Sequence, residues 1–261
     1  MGELLRVTYE GAVARLILAD PGTLNSLSDG MLKALAEALD EIAAGEARVV
    51  VLGAEGKAFC AGHNLREMQA MRQAEDGGAA AFAALFDRCA GVMARIRALP
   101  QPVIARVHGL ATAAGCQLVA TCDLAVASEG ARFGVNGVNV GLFCSTPMVA
   151  LSRDVGRKQA FEMLVTGEFV GAARARELGL VNRVVPAERL EEETAALAAL
   201  VAGKLGAAVR IGKGAFHAQI ERDEAEAYRL TRDAMVANLL EPDTADGIGA
   251  FLEKRPPGWT Q

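Results

Sequence analysis

Short apolar runs, each followed by a small-residue turn and then a helical pattern, constrain this chain more than any other feature. Residues 49–52 form a continuous apolar run, typical of a strand buried on both faces, and residues 103–107 form a second. Gly-containing segments at 53–62 and 109–115 follow these runs, and each leads into a helix. Alternation of this kind predicts an α/β domain with a parallel or mixed sheet.

The elements on either side complete this prediction. A hairpin is expected over residues 4–19, and Ser28 is a predicted N-cap for a helix with apolar residues at helical spacing. Helical patterns dominate the later part of the chain, apart from one predicted strand over 181–185. We therefore expect a core domain, residues 1–195, followed by a helical region, residues 196–261.

Composition limits the classes of function. A chain of 261 residues that is 52% hydrophobic and 23% charged can bury one large core. A net charge of −5 and only 5% aromatic residues argue against binding to nucleic acid or to an anionic membrane. The five cysteines form no C-x-x-C pair, and the N-terminus has no basic-then-apolar order. These features predict a soluble, cytoplasmic protein with reduced thiols.

Two segments of similar design, residues 57–65 and 108–117, are the candidate site. Each passes through Ala and Gly and opens a helix, where the first N–H groups lack partners and the helix dipole favours negative charge. Taken singly, each segment is more typical of an ordinary strand-to-helix turn. Facing one another, they would offer two N–H donors to a single carbonyl oxygen.

Residues 59–65 (FCAGHNL) resemble the F-x-A-G-x-D-L element of the crotonase (enoyl-CoA hydratase/isomerase) superfamily. Residues 109–125 are similar to its G-x-A-x-G-G-G-x-E-L-x-x-x-C-D element. Passages at 113–120 and 137–147 narrow the resemblance to one branch of the superfamily. Further similar segments follow in the same order along the chain, at 24–27, 102–105, 166–167, 175–185 and 250–255.

The resemblance implies a crotonase (ClpP/crotonase-like) α/β fold, a spiral of ββα units with a C-terminal helical region used in trimerisation. The implied ligand is an acyl-CoA of fatty acid metabolism, and the implied assembly is a homotrimer or a dimer of trimers. Coenzyme A is then part of the substrate, and no separate cofactor is expected. Three histidines, none within four residues of another, predict no metal site.

The same resemblance implies roles for individual residues. The N–H groups of His63 and Ala114 would be the two donors to the thioester oxygen. Phe251 and Lys254 would reach the coenzyme A of a neighbouring subunit, although a packing Phe and a solvated Lys are equally compatible with these positions. The residues expected to bind coenzyme A are Ala61, His63, Asn64, Leu65, Arg66, Phe251 and Lys254.

The catalytic positions depart from the family's pattern. Gln117 and Gly137 stand where hydratases of this family have two carboxylates, whose work is to hold water and move protons. Hydratase activity of the usual kind is therefore doubtful. The alternatives are a non-catalytic or regulatory acyl-CoA binder, and a lyase, isomerase or thioesterase that uses another base.

Three side chains are candidates for a replacement role. His63 titrates near neutral pH, although it is also compatible with a surface or capping histidine. Cys144 could be activated at a helix start or could be a small core residue, and Asn139 could bond a carbonyl or water. The residues expected to have structural roles are His108, Asp123 and His217.

Overall fold

The computed structural model of the protein describes residues 3–259, which form ten strands and eleven α-helices. The strands are β1 (Leu5–Glu10), β2 (Val13–Leu18), β3 (Val49–Ala54), β4 (Ala58–Cys60), β5 (Val103–Val107), β6 (Leu110–Thr112), β7 (Leu124–Ser128), β8 (Arg132–Gly134), β9 (Val170–Gly171) and β10 (Arg183–Val185). The helices are α1 (Asp29–Ala44), α2 (Leu65–Met71), α3 (Ala79–Ala98), α4 (Ala114–Thr121), α5 (Pro147–Asp154), α6 (Arg157–Thr166), α7 (Ala172–Glu177), α8 (Leu190–Ala202), α9 (Gly206–Gln219), α10 (Glu224–Leu239) and α11 (Pro242–Glu253).

The strands form two sheets. The larger sheet has the order β1-β2-β3-β5-β7-β10, and all of its pairs are parallel except the β1–β2 hairpin. The smaller sheet has the order β4-β6-β8-β9, with β9 antiparallel to β8. Each of β3, β5 and β7 is followed by a short strand of the smaller sheet and then by a helix. This order confirms the predicted spiral of ββα units.

The strands of the smaller sheet are absent from the pattern-based prediction, which placed loops or turns over 53–62 and 109–115. These strands have only two or three residues each, too few to show alternation of apolar and polar side chains. Pairing with neighbouring strands determines them, and neighbouring strands are not visible in a local pattern.

Strand β3 explains the apolar run from which the prediction started, because all six of its residues are buried. Val50 and Leu52 belong to the main core, whereas Val49 and Val51 face a second core formed with α8. A strand covered on both faces needs no alternation. Residue 195 lies within α8, so the division of the chain there stays a prediction about domains.

A buried lysine attaches α9 to the core. The Lys213 ammonium donates to the carbonyl oxygens of Ile96 and Gln101, both at 2.9 Å, and to the Asp123 carboxylate at 2.7 Å. His217, one turn further along α9, hydrogen-bonds the other Asp123 oxygen at 3.0 Å. Burial lowers the pKa of Lys213, and the Asp123 charge opposes that shift.

Within residues 3–259, no single helix is both long enough and apolar enough to cross a membrane. The segments Ala187–Ala202 and Gly206–Gln219 pass the same test of length and composition only as a pair, and the chain bends by 100° between them.

Candidate active site

The two small-residue turns meet at one end of the smaller sheet. Strands β4 and β6 are parallel neighbours, so the turns that follow Cys60 and Thr112 lie side by side. Gly62 has a φ of +86°, and a Cβ at this position would lie 3.1 Å from the Ala114 nitrogen and 2.9 Å from the Ala113 Cβ. The turns therefore face each other across a gap that only glycine at residue 62 leaves open.

Both candidate N–H groups are unused within residues 3–259. Neither the His63 nor the Ala114 nitrogen donates a hydrogen bond to a protein acceptor. Ala114 begins α4, and the residue before it, Ala113, has φ 51° and ψ −121°, a turn conformation that glycine dominates. Ala113 is held there by a hydrogen bond of 2.9 Å from its nitrogen to the Gly134 carbonyl. A tight turn thus precedes the first N–H of α4, and the hydrogen bond to Gly134 fixes this turn.

A cavity of about 330 Å³ lies against the two turns. Leu65, Met68 and Phe86 form one apolar wall, and the segment from the 3₁₀ turn Asn136–Val140 to the start of α5 forms the other. The polar residues that line it are His63, Thr112, Asn136, Ser145 and Thr146, and no acidic side chain is among the lining residues.

A larger cavity, about 1030 Å³, lies between α9 and the ends of α4 and α5. Its lining includes no residue of the two turns, so size does not make it the better candidate for thioester chemistry. Asp154 lines this larger cavity, and burial raises the pKa of its carboxyl to about 6, while the positive charge of Arg97 works in the opposite direction.

The His63 ring is packed in the smaller cavity without a polar partner. Its centroid lies 5.6 Å from that of Phe86 in an edge-on arrangement, and both ring nitrogens are buried without a hydrogen bond within the described part of the chain. Burial lowers the pKa of His63, and the Leu27 main chain opposes that shift, although no hydrogen bond of normal geometry joins the two. This direction favours the neutral ring, in which one nitrogen carries a proton and the other can accept one.

The two positions at which the resemblance places carboxylates in hydratases differ in kind. Gln117 lies on α4, is 5% exposed, and does not line the cavity. Gly137 does line the cavity, but a Cβ there would lie 2.2 Å from the Leu142 carbonyl oxygen and 2.9 Å from the Cys144 sulfur. A hydrogen bond of 2.9 Å from the Leu142 nitrogen to the Gly137 carbonyl fixes this arrangement. Main chain, and not an empty pocket, occupies the space beside residue 137.

Residues 8–261 match the family model described as Enoyl-CoA hydratase/isomerase. The chain belongs to this family. A solved structure described as an enoyl-CoA hydratase of Mycobacterium smegmatis is 53% identical, with a TM-score of 0.95 and 99% of each chain covered. This likeness confirms the predicted fold class.

Two further relatives confirm the narrower resemblance to one branch of the family. The rat enoyl-CoA hydratase domain-containing protein 3 is 44% identical over 258 residues, which are 98% of this chain and 84% of the relative. The crystal structure of the human protein of that name is 44% identical, with a TM-score of 0.93 over 98% of this chain and 100% of the other.

The predicted cytoplasmic location is wrong on this comparison. The rat, Xenopus laevis and human relatives in this branch of the family are all named as mitochondrial proteins. The prediction rested on the unpaired cysteines and on the N-terminal residues, which lack a basic-then-apolar order. Reduced thiols do not distinguish one reducing compartment from another.

Only some of the residues expected to bind coenzyme A lie at the cavity. Ala61, His63 and Leu65 line it. Asn64 instead caps α2, where its side-chain oxygen accepts from the Arg66 nitrogen at 3.0 Å. Arg66 itself is exposed and does not line the cavity.

The two C-terminal residues of that set lie elsewhere. Phe251 is 83% exposed on α11, Lys254 follows that helix with φ 56°, and neither residue lines the cavity. Their predicted contact with a neighbouring subunit's ligand stays a prediction.

The side chains considered as replacements for the carboxylates differ in whether they line the cavity. Cys144 lines the cavity, and burial raises the pKa of its thiol, with the Gly137 main chain opposing this, so that the thiol form is favoured. Asn139 does not line the cavity, since its amide donates to the Gly167 carbonyl at 3.3 Å. Asn136, which the sequence analysis did not single out, lines it and accepts from Thr112 at 2.5 Å.

The three residues expected to be structural make hydrogen bonds. A His108 ring nitrogen bonds the Gly56 carbonyl at 3.0 Å. Asp123 accepts from the Val103 nitrogen at 2.7 Å, in addition to its bonds with Lys213 and His217. His217 was expected only to pack, and its hydrogen bond to a buried carboxylate has no signal in a local sequence pattern.

Proposed function

We propose that this family member binds the coenzyme A thioester of an acyl chain, with the thioester oxygen between the N–H groups of His63 and Ala114. Two main-chain donors that converge on one point stabilise negative charge developing on a carbonyl oxygen, and they act most strongly where water is excluded. The donors are supported by the unused state of both N–H groups and by the apolar walls of the cavity beside them.

One observation carries the proposal: only the missing Cβ of Gly62 keeps the gap between the turns open. We expect Gly62→Ala to abolish binding of butyryl-CoA in a calorimetric titration, because the methyl group would meet the Ala114 nitrogen. Gly77→Ala is the matched control, since Gly77 also has a positive φ but a Cβ there would have no atom within 4 Å. Butyryl-CoA bound with unchanged affinity by Gly62→Ala would contradict the proposal.

A second variant covers the case in which Gly62→Ala does not fold. Ala114→Pro removes one proposed donor at the first residue of α4, where the helix itself tolerates proline and Ala113 has to adjust its backbone to precede it. We expect it to weaken binding of butyryl-CoA relative to its binding of free coenzyme A. Equal loss for both ligands would indicate a general structural effect and would count against the donor role of residue 114.

We further propose that the chain is not a hydratase of the two-carboxylate kind. Positioned acids and bases typically contribute about 10²–10⁴-fold to a rate. With Gln117 and Gly137 at both positions, we expect hydration of crotonyl-CoA, followed by loss of the enoyl absorbance, to be slower than in a two-carboxylate relative by at least that range. Hydration at a rate comparable with such a relative would contradict this part of the proposal.

The unpaired ring of His63 favours one catalytic alternative, a lyase or thioesterase that uses this imidazole as its base. Release of free coenzyme A from butyryl-CoA, detected with a thiol reagent, distinguishes this alternative from a non-catalytic or regulatory binder. We expect His63→Ala to remove any such turnover and Gln117→Ala to leave it unchanged, because Gln117 does not line the cavity. Turnover retained in His63→Ala would exclude the imidazole as the base.

We also propose that helices α9–α11 carry the contacts between copies of the chain in a trimer or a pair of trimers. Leu240 is 78% exposed and Leu252 is 73% exposed, although both are large apolar residues. Large apolar side chains that are exposed in number on neighbouring elements favour contact with another protein surface. In that assembly Phe251 and Lys254 would approach the ligand of a neighbouring copy.

A further inference from the structure

Asn136 occupies a position beside the proposed oxyanion donors. Strands β6 and β8 are parallel, and Thr112 is opposite Gly134 in their register. Asn136 lies two residues beyond Gly134, just as Ala114 lies two residues beyond Thr112. Since neighbouring strands are about 4.8 Å apart, the chain at residue 136 continues along the flank of the turn that presents the Ala114 N–H.

The Asn136 side chain is held in one orientation. The Thr112 hydroxyl donates to its Oδ1 at 2.5 Å, and Thr112 is itself only 6% exposed. Its Nδ2 has no acceptor within residues 3–259, and the residue lines the cavity. The main chain that follows is fixed by the hydrogen bond from Leu142 to Gly137. The result is a positioned amide donor without a protein partner.

Two other polar side chains that line the cavity differ from Asn136 in what they offer. The Ser145 hydroxyl donates to the Phe143 carbonyl at 3.4 Å. The neutral His63 ring, which its lowered pKa favours, carries a single N–H, and its other ring nitrogen is an acceptor. No carboxylate lines the cavity to accept from the amide. Asn136 is partly buried, and a ligand in the cavity would cover its amide. A donor that a ligand covers without pairing costs free energy, so a ligand that supplies an acceptor oxygen there binds more tightly than one that does not.

We infer that Asn136 is a specificity-determining residue whose Nδ2 donates to a keto or hydroxyl oxygen on the acyl chain, close to the thioester. The site therefore favours acyl thioesters oxygenated at the third carbon over unsubstituted ones. This inference rests on the proposed binding of an acyl-CoA, and it adds a third donor to the two main-chain donors.

The test is a calorimetric titration of the full chain with acetoacetyl-CoA and with butyryl-CoA, which differ by the keto oxygen. We expect the wild type to bind acetoacetyl-CoA about tenfold more tightly. Asn136→Ala should bring the ratio of the two Kd values to about one, because it removes the donor to the keto oxygen. Asn136→Asp should do the same, because a carboxylate still accepts from Thr112 but offers no donor.

Asn139→Ala is the matched control, since Asn139 belongs to the same 3₁₀ turn but donates to Gly167 and does not line the cavity. It should keep the tenfold preference. Equal Kd values for the two thioesters in the wild type would overturn the inference and leave the proposed function intact. A preference retained in both Asn136 variants would also overturn it. Failure of the wild type to bind either thioester would overturn the proposed function together with the inference.

Discussion

At the scale of single residues, main-chain atoms shape the site, and they occupy space in which a side chain was expected. The Leu142 carbonyl fills the space beside Gly137, and the left-handed turn at Ala113 directs the Ala114 N–H. Both features place backbone close to backbone, which the abundance of Ala and Gly in the chain allows.

The crowding at Gly137 predicts the effect of restoring a carboxylate. Gly137→Glu should lower the free energy of unfolding by about 1–3 kcal/mol, the usual cost of overpacking, and should not create hydratase activity. Urea denaturation and a crotonyl-CoA assay measure the two effects. Gly130→Glu is the control, because a Cβ at Gly130 would meet no atom within 4 Å. Equal stabilities of the two variants would contradict this explanation.

The turn at Ala113 predicts opposite effects for two neighbouring substitutions. Ala113→Gly removes the steric cost of a positive φ, about 1–2 kcal/mol, which offsets the extra freedom of glycine in the unfolded chain. Ala114→Gly has no such compensation, because φ is negative there, and should destabilise by about 1 kcal/mol. Thermal or urea unfolding should therefore rank Ala113→Gly above Ala114→Gly, and the reverse order would exclude strain at residue 113.

The lowered pKa of His63 predicts a dependence of stability on pH. The unfolded chain takes up a proton near the ordinary value of 6.5, whereas the folded chain does so only at lower pH. The contribution of His63 to stability is therefore fully present above about pH 6.5 and is lost as pH falls toward the folded pKa.

The measurement compares the urea midpoints at about pH 7.5 and about pH 5.5 for the wild type and for His63→Asn. The wild type should lose more stability on acidification than the variant. His108, whose pKa burial also lowers, and Asp154, whose raised pKa has the opposite effect, are present in both proteins and do not affect the comparison. An equal loss in the two proteins would show that the His63 pKa is not lowered.

Sequence reasoning reached most of the residues at the cavity but not all of them. His63, Ala114 and Gly137 were found because their segments resemble family motifs. Asn136 was missed and Asn139 was considered instead, since the 3₁₀ turn that sends one amide into the cavity and the other toward Gly167 leaves no periodic signal. A polar residue two positions after a short strand, at the carboxyl end of parallel strands, was the available clue.

At the scale of elements, long helices and strands were predicted from the sequence, and the shortest strands were not. Helix α1 was predicted from Ser28 onward, and the Ser28 hydroxyl does accept from the Met31 nitrogen at 3.2 Å. Strand β3 was predicted from its apolar run. The strands of the smaller sheet were not predicted, because two or three residues carry no periodicity and their pairing is long-range.

The attachment of α9 gives a prediction at this scale. Lys213→Met leaves Asp123 without its ammonium partner in a mostly buried site, where loss of one member of an ion pair costs about 3 kcal/mol. The double variant Lys213→Met/Asp123→Asn should be less destabilised than the sum of the two single variants. A double-mutant cycle in urea measures the coupling, and additive effects would show that the two side chains act independently.

At the scale of the whole molecule, large apolar residues are exposed more often along the C-terminal helices than along the core domain that precedes them. Several large apolar side chains of α10 and α11 are more than half exposed, among them Tyr228, Met235, Leu239, Phe251 and Leu252. Within residues 3–259 these side chains are left exposed, and a second molecule packed against α10 and α11 would cover them.

This surface predicts that the protein sediments as an oligomer and that Leu240→Glu shifts it to smaller species. Tyr9→Glu is the control, because Tyr9 is a half-exposed aromatic residue on the N-terminal hairpin, away from these helices. Sedimentation velocity at several protein concentrations distinguishes the species. A wild type that is monomeric at all concentrations would remove the proposed assembly and, with it, the contact of Phe251 and Lys254 with a second copy.

The Leu142 carbonyl beside Gly137 has a consequence for engineering of this site. Two substitutions, at Gln117 and Gly137, would be enough to place carboxylates at both positions. The step at Gly137, however, collides with main chain and requires the loop from Leu142 to Cys144 to move first. A designer who wants a side chain at residue 137 therefore has to rebuild this loop together with it.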